Sequence, residues 1–173
     1  MVFMAVRRIL QLGDPLLRSV SSPIAPHQAE GVIQDLEETL ADFRQRNGFG
    51  RGISAIQIGE PVRVIFLKLD GLRYELINPE FTFLSDGRFT LFDDCFSFPH
   101  LMVRLERHCE VGLRYQNRGG EWLHLTAQGA LAELIQHEMD HLDGVLAVDH
   151  ARSSKDFITR EEFIRQQSFA ANL

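Results

Sequence analysis

The sequence predicts an α+β fold, in which helices and strands occupy separate parts of the chain. Two helical patterns of apolar residues are present, one before residue 50 and one that begins at Thr126. Between them, short segments of alternating polarity are separated by turn residues from position 62 to position 125. A run of strands followed by a helix is typical of α+β proteins.

The length of 173 residues predicts a single domain, residues 1–173, that can bury a core without disulfides. Hydrophobic residues make up 45% and charged residues 24%, and no apolar run is long enough to span a bilayer. The first arginines follow a short apolar run, so we expect no secretory signal and a cytoplasmic protein. The net charge of −6 and the lack of a basic stripe argue against tight nucleic-acid binding.

The amino-terminal part is predicted to be helical. Asp14 is expected to cap a short helical turn at Pro15. A longer helix is predicted over residues 28–46, because its apolar residues recur at intervals of 3, 4 and 3 and acidic residues fill the other face. Asn47 and Gly48 are expected to end it. The apolar positions are Ile33, Leu36, Leu40 and Phe43.

Glycines alternate in the next segment, at Gly48, Gly50 and Gly52. This density lets a backbone approach a ligand closely or adopt a positive φ, and a flexible surface turn is the alternative. The third glycine falls too early for a dinucleotide-binding loop. Gln57 follows in apolar company, where its amide suits the binding of a carbonyl oxygen or is satisfied by the backbone as an ordinary buried amide.

Two strand hairpins are predicted in the middle of the chain. The first turns at Asp70-Gly71, a strong hairpin signal, and the second turns around Ser85-Asp86-Gly87. The strands of these hairpins are residues 62–69 and 74–78, and residues 81–84 and 89–92.

A long strand with one buried face is predicted over residues 103–115, because apolar residues occupy the odd positions with Arg107 as the one polar interruption. Cys109 belongs to this apolar row, so we expect it in the core and not in a disulfide. A further strand at residues 122–125 follows a turn at residues 117–120.

A helix is predicted from Thr126, with Asp143-Gly144 closing it. One stripe of this helix combines apolar residues and histidines, namely Ala130, Leu134, His137 and His141. Residues 159–162 form a capping box that opens a final short helix.

The H-E-x-x-H pattern in this helix indicates a metal site. Four residues span about 400° of a helix, so His137 and His141 lie within roughly 40° of each other, with Glu138 within about 100° of both. Two imidazoles fill two metal positions, a third ligand takes another, and water takes the last, where Glu138 accepts its proton. The alternative is a surface helix that carries two histidines and a glutamate by chance.

Cys95 supplies the expected third ligand, since a thiolate is a common partner of two imidazoles. With it, the chain resembles the peptide deformylases, which share the motifs G-x-G-x-A-A-x-Q-x-G, E-G-C-L-S and Q-H-E-x-D-H-L-x-G. The corresponding segments are residues 50–59, 93–97 and 136–144. The opening segment, residues 9–18, is also similar to that family.

The resemblance implies a metal-dependent amide hydrolase that removes the N-formyl group from the N-terminal formylmethionine of nascent polypeptides. The implied fold is α+β, with antiparallel sheets packed around a central helix carrying H-E-x-x-H. The formylated nascent peptide would be the partner, with transient contact to the ribosome and no direct binding of nucleic acid or membrane.

The resemblance also implies a role for each matching residue. The metal ligands would be Cys95, His137 and His141, and they would hold one divalent ion, commonly Fe2+ and replaceable by Zn2+, Ni2+ or Co2+. Glu138 would act as general base and then acid. Gln57 and the backbone N–H of Phe96 would bind the formyl oxygen as it becomes an oxyanion. The backbone around Gly50 and Gly52 would pair with the substrate peptide.

Four residues depart from the family pattern. Phe96 replaces a leucine that donates through its backbone, and its larger ring is expected to narrow the methionine pocket. Ser54 replaces alanine, a small change, and Asp93 replaces glutamate with a shorter side chain. Asp94 replaces glycine, so it is expected to strain a turn and to add a negative charge beside Cys95, which raises the pKa of a metal-bound water.

Two other functions remain open from the residues alone. A metallopeptidase of the metzincin type would need histidine at position 147, where this chain has Ala147, and Glu161 has the spacing of a ligand in another protease class. A descendant with altered or lost activity would bind N-formyl peptides without hydrolysing them. Retention of Glu138 and Gln57 argues against this, because a binder needs no general base.

Overall fold

Two antiparallel sheets contain the strands of the protein in a computed structural model that describes residues 5–170. The larger sheet has the strand order β1-β2-β3-β6-β7 and the smaller one the order β4-β5-β8. The strands are β1 (Gly52–Ser54), β2 (Val64–Leu69), β3 (Leu72–Leu84), β4 (Arg88–Asp94), β5 (Leu101–His108), β6 (Glu110–Gln116), β7 (Trp122–Gln128) and β8 (Phe157–Thr159). The helices are α1 (Glu30–Asn47), α2 (Gly129–Leu142) and α3 (Arg160–Ala170). Over residues 5–170, none of the helices has the length and apolar character needed to cross a membrane.

Helix α1 confirms the amino-terminal prediction. Its four apolar positions are buried and pack against β1 and β2, as the 3.6-residue period requires. Gly48 ends the helix with φ of 77°, and its N–H donates to the carbonyl of Arg44. The side chain of Asp14 accepts a hydrogen bond from the N–H of Leu16 at 3.0 Å and caps the turn Pro15–Arg18, as expected.

Helix α2 lies between the sheets, because it contacts β1, β2, β6 and β7 of the larger sheet and β5 of the smaller one. It begins at Gly129 and not at Thr126, since residues 126–128 continue β7 and pair with the start of β6. Ala130 is exposed in the first turn, so the predicted stripe is buried only from Leu134 onward. Gly144 closes the helix as predicted, with φ of 73°.

The predicted hairpin at Asp70-Gly71 is confirmed. Both residues have positive φ, 52° and 79°, as a tight turn between β2 and β3 requires. The predicted strand at residues 122–125 is also confirmed, and it extends to Gln128 as β7.

The second predicted hairpin is wrong. Residues 81–84 are the end of β3 and pair with β6, whereas residues 89–92 belong to β4 and pair with β5 in the other sheet. The turn at residues 85–87 therefore carries the chain from one sheet to the other. Alternating polarity marks a strand with one buried face, but it does not specify the neighbouring strand.

The single long strand predicted over residues 103–115 is also wrong. It is divided at Cys109 into β5 and β6, which lie in different sheets. The backbone of Cys109 is bonded to Gly87 and Gly129 at this junction, and its side chain is exposed, so the prediction of a core residue is corrected. The alternation continues through the junction because each of the two strands has its own buried residues.

Helix α3 begins as the capping box predicts. The hydroxyl oxygen of Thr159 accepts a hydrogen bond from the N–H of Glu162 at 3.2 Å. The last three residues of the predicted tail and the first four of the amino-terminal apolar run lie outside the described residues.

Candidate active site

The three predicted metal ligands converge in the structure. Helix α2 supplies His137 and His141 on one face, and Cys95 follows directly after β4. The Nε2 atom of His141 lies 3.2 Å from Nε2 of His137 and 3.2 Å from Sγ of Cys95. All three side chains are buried, and their donor atoms lie within 4.8 Å of one another. A group of donor atoms this close together can hold one metal ion.

A buried carboxylate orients one of these ligands. Asp93 accepts a hydrogen bond from Nδ1 of His137 at 3.0 Å, so the Nε2 lone pair of that histidine points toward the other two donors. Asp93 is held in turn by Arg107 at 2.9 Å, and Arg107 contacts Asp140 at 2.5 Å. Asp93, although its side chain is shorter than that of glutamate, therefore reaches His137. One thiolate, two imidazoles and an oriented Nδ1–H fit a divalent transition metal ion.

Burial and charge set the pKa values around the ligands. Burial opposes ionisation of Asp93, but the charges of His137 and Arg107 outweigh it and hold the pKa of Asp93 well below its ordinary value. Burial and the neighbouring His137 hold the pKa of His141 well below its ordinary value. This shift favours the neutral imidazole, the form that binds a metal ion. At His137, burial is outweighed by the charges of Asp93 and Cys95, which raise its pKa well above the ordinary value.

Glu138 is buried beside the ligand cluster. Burial raises its pKa above the ordinary value, while the charge of His137 and a hydrogen bond from Ser54 oppose the rise. The Ser54 hydroxyl donates to Oε2 of Glu138 at 2.6 Å. A raised pKa brings a carboxylate closer to the range in which it both accepts and returns a proton near neutral pH. This contact between Ser54 and Glu138 was not apparent from the sequence.

Gln57 and Phe96 also lie beside the cluster. The Oε1 atom of Gln57 accepts a hydrogen bond from the N–H of Ser54 at 2.9 Å, which fixes the amide so that Nε2 lies 3.5 Å from Sγ of Cys95. The ring of Phe96 stacks on that of Phe43 with centroids 3.8 Å apart. These contacts place a donor amide and the backbone of Phe96 next to the candidate metal site.

One cavity of about 260 Å3 connects these residues. Every predicted site residue except His141 lines it, namely Gly50, Gly52, Gln57, Cys95, Phe96, His137 and Glu138. Glycine is required at both positions because neighbouring side chains approach the backbone closely there. A Cβ on Gly50 would lie 2.5 Å from the Phe96 ring, and one on Gly52 would lie 2.9 Å from Oε1 of Glu138.

Asp94 has a partner that the sequence did not reveal. Its carboxylate is bonded to the guanidinium of Arg160, the first residue of α3, which also donates to the carbonyl of Pro99 at 2.7 Å. The same guanidinium lies 3.5 Å above the ring centroid of Phe49. The negative charge is therefore compensated. The expected strain is absent, since Asp94 is the last residue of β4 and does not have a positive φ.

Arg51 and Glu133 also line the cavity, and their pairing was missed. Arg51 pairs with Glu133, which is buried one turn before His137 on α2. Burial raises the pKa of Glu133 and Arg51 partly offsets the rise. The four-residue spacing from His137 was the available signal for Glu133. Glu161, the possible protease ligand, is exposed in α3 and does not line the cavity.

The fold and the site define a metal-dependent hydrolase with an H-E-x-x-H helix. Residues 6–157 match the polypeptide deformylase family. The chain is 35% identical to the peptide deformylase of Bartonella tribocorum over 166 residues, which cover 91% of this chain and 92% of that protein. It is 37% identical to the peptide deformylase of Phenylobacterium zucineum over 170 residues, with coverage of 94% and 95%.

A solved structure shows the same fold. The crystal structure of peptide deformylase from Thermotoga maritima matches with a TM-score of 0.80 and 30% identity, over 86% of this chain and 99% of that one. The chain belongs to the polypeptide deformylase family. It is therefore a hydrolase of the kind that removes the N-formyl group from nascent chains, and the predicted α+β fold and family are confirmed.

Proposed function

We propose that Cys95, His137 and His141 hold one divalent metal ion and that Glu138 is the general base in removal of the formyl group from formylmethionine. The convergence of the three donor atoms beside a buried carboxylate is the observation that supports this most strongly. A divalent ion in such a site lowers the pKa of a water molecule and polarises a carbonyl group.

The residues around the cavity then have separate roles in the proposed reaction. Glu138 accepts a proton from the attacking water and returns it to the leaving amine. The Nε2 amide of Gln57 and the backbone N–H of Phe96 donate hydrogen bonds to the formyl oxygen as negative charge develops on it. One donor in such a role contributes about 3–4 kcal/mol to the transition state.

The backbone at Gly50 and Gly52 is proposed to pair with the substrate peptide. Strand β1 is at the edge of the larger sheet, and the carbonyl of Arg51 accepts a hydrogen bond from the N–H of Lys68 in β2 at 2.7 Å. Hydrogen-bonding groups alternate in direction along an edge strand, so those of Gly52 point away from β2 and toward the cavity. An extended peptide can add to this edge.

Fe2+ is the proposed native ion, with Zn2+, Ni2+ and Co2+ as substitutes, because one thiolate and two imidazoles suit all of these ions. Metal analysis of protein purified without oxygen tests this proposal. Iron as the main bound metal, with activity that is lost in air and restored by Ni2+, is the expected result.

The formylated nascent peptide is the proposed partner. We place the reaction in the cytoplasm, where nascent chains are made, with one domain spanning residues 1–173 and only transient ribosome contact. Co-sedimentation with ribosomes that carry a nascent chain measures this contact. Stable binding to empty ribosomes would contradict a transient encounter.

The decisive experiment measures deformylation of formyl-Met-Ala-Ser by iron-loaded protein prepared without oxygen. Glu138→Ala is expected to lower kcat by about 10²–10⁴-fold, because it removes the general base. Glu161→Ala is the matched control, since that glutamate is exposed outside the cavity, and it is expected to keep full activity. Full activity of Glu138→Ala, with metal bound, would contradict the proposed role.

A further inference from the structure

A partly buried ion pair lies in the active-site cavity without a part in the reaction described above. The Nη2 atom of Arg51 lies 3.0 Å from each carboxylate oxygen of Glu133. The side chain of Glu133 is only 7% exposed, whereas that of Arg51 is 37% exposed. Arg51 therefore covers the carboxylate and presents part of its guanidinium to the solvent or to a ligand.

The pair forms the wall of the cavity next to the reacting centre. Glu133 precedes His137 by four residues and Leu134 precedes Glu138 by four, so both lie one turn closer to the start of α2. Arg51 comes directly before β1 and faces them. All of these residues line the same cavity.

The path of the substrate leads to this wall. With the formyl group at the metal ligands and the peptide paired with Gly52, the first substrate residue lies between β1 and α2. A Cβ on Gly52 would lie 3.1 Å from Leu134 and 2.9 Å from Glu138, so the backbone of β1 lies close against α2 at that point. A first side chain that continues through the cavity along α2, away from the metal ligands, meets Arg51 and Glu133.

The chemistry of the wall restricts that side chain. A guanidinium has five N–H donors. In residues 5–170, its hydrogen bonds to Glu133 use only Nη2, so Nε and Nη1 of Arg51 remain as donors. An apolar side chain that covers them leaves buried donors without partners, which is unfavourable, whereas a side chain with an acceptor satisfies them.

We propose that Arg51 and Glu133 make this deformylase select N-formyl peptides whose first side chain carries a hydrogen-bond acceptor. This inference rests on the proposed function for the position of the formyl group. The thioether of methionine is a weak acceptor, the oxygen of methionine sulfoxide is a strong one, and norleucine has the same length and none. The expected order of preference is therefore sulfoxide, methionine, norleucine.

The test compares three formylated tripeptides that end in Ala-Ser and begin with methionine sulfoxide, methionine or norleucine. For the parent enzyme, kcat/KM is expected to be at least tenfold higher for the sulfoxide than for norleucine. In the double variant Arg51→Leu/Glu133→Leu, which removes both charges together, the ratio is expected to fall to about 1 or below. An equal ratio in parent and double variant overturns the proposal.

Two further variants test whether a change in substrate preference comes from a disturbed fold and not from the loss of the charged pair. Glu133→Gln retains an acceptor for Arg51 and the guanidinium itself, so the sulfoxide preference is expected to stay within threefold of the parent. Arg51→Met/Glu133→Gln is a neutral pair of similar volume, and it replaces the leucine variant if that protein does not fold. A parent-like preference in this second pair also overturns the proposal.

Binding of the products separates this inference from the proposed function. Titration calorimetry of the three unformylated tripeptides against metal-loaded parent enzyme needs no turnover. Tighter binding of the sulfoxide peptide without hydrolysis of any formylated peptide would support the pocket and reject the proposed reaction. Hydrolysis of all three substrates with equal kcat/KM, together with equal affinity for the three products, would support the proposed reaction and reject the selective pocket.

Discussion

Replacement of Arg107 by methionine tests whether the buried network behind the metal ligands stabilises the fold. Arg107 is 3% exposed and Asp93 is 2% exposed, and they are joined by a 2.9 Å hydrogen bond. Arg107→Met retains most of the volume but leaves the carboxylate of Asp93 buried with only His137 as a partner. Loss of one partner from a buried ion pair costs about 3–5 kcal/mol.

The expected loss in Tm is therefore about 6–20 °C, since 1 kcal/mol corresponds to about 2–4 °C for a chain of this length. Thermal unfolding followed by circular dichroism at pH 7 measures it. Arg152→Met is the matched control, because Arg152 also pairs with a carboxylate, that of Glu106, but its side chain is 78% exposed. Its expected cost is at most about 1 kcal/mol, or about 4 °C.

The pH dependence gives a second check on the same residues. The pKa of Asp93 is lowered in the folded protein, so its contribution to stability is present above the ordinary carboxyl pKa of about 4 and is lost as the pH falls through the folded value. The gap in Tm between parent and Arg107→Met should therefore narrow below about pH 4. Equal Tm losses for Arg107→Met and Arg152→Met at pH 7 would refute the reasoning.

Two further predictions concern the departures from the family motifs. Ser54→Ala removes the hydrogen bond that opposes the rise in the pKa of Glu138, so the acidic limb of the kcat/KM profile for formyl-Met-Ala-Ser should move to higher pH. If the acidic limb does not move, the protonation of Glu138 does not determine its position. Arg160→Met leaves the charge of Asp94 uncompensated beside the ligand cysteine, so kcat/KM should fall by up to about tenfold at low salt, and the added change Asp94→Gly should restore it. Failure of the double variant to recover would assign the loss to the other contacts of Arg160.

Local patterns in the sequence were sufficient to find the centre of the site. The spacing of His137, Glu138 and His141 fixes their positions on one helix, because four residues make about one turn. The structure adds Cys95 and Gln57 from other elements to the same cavity. Cys95 was expected from the ligand chemistry of two imidazoles, and Gln57 from its amide in apolar company. The family motifs then gave each a role, and no periodicity indicated either one.

The parts that were missed depend on contacts between distant segments. Asp94 and Arg160 are 66 positions apart, and Arg51 and Glu133 are 82 positions apart. A charged residue is compatible with a solvated surface or with a buried pair, and periodicity does not show which one applies. The strand errors have the same origin, since β5 and β6 share one alternating pattern across Cys109 but belong to different sheets.

The departures from the family motifs are each matched by a contact elsewhere in the protein. Ser54 is bonded to Glu138, and the carboxylate of Asp94 is bonded to Arg160. Charges without partners near a buried site are costly to the fold, and the ion pair with Arg160 reduces that cost for Asp94. The divergent cysteine motif is therefore joined to the carboxyl-terminal helix α3, a contact that is compatible with the proposed metal site.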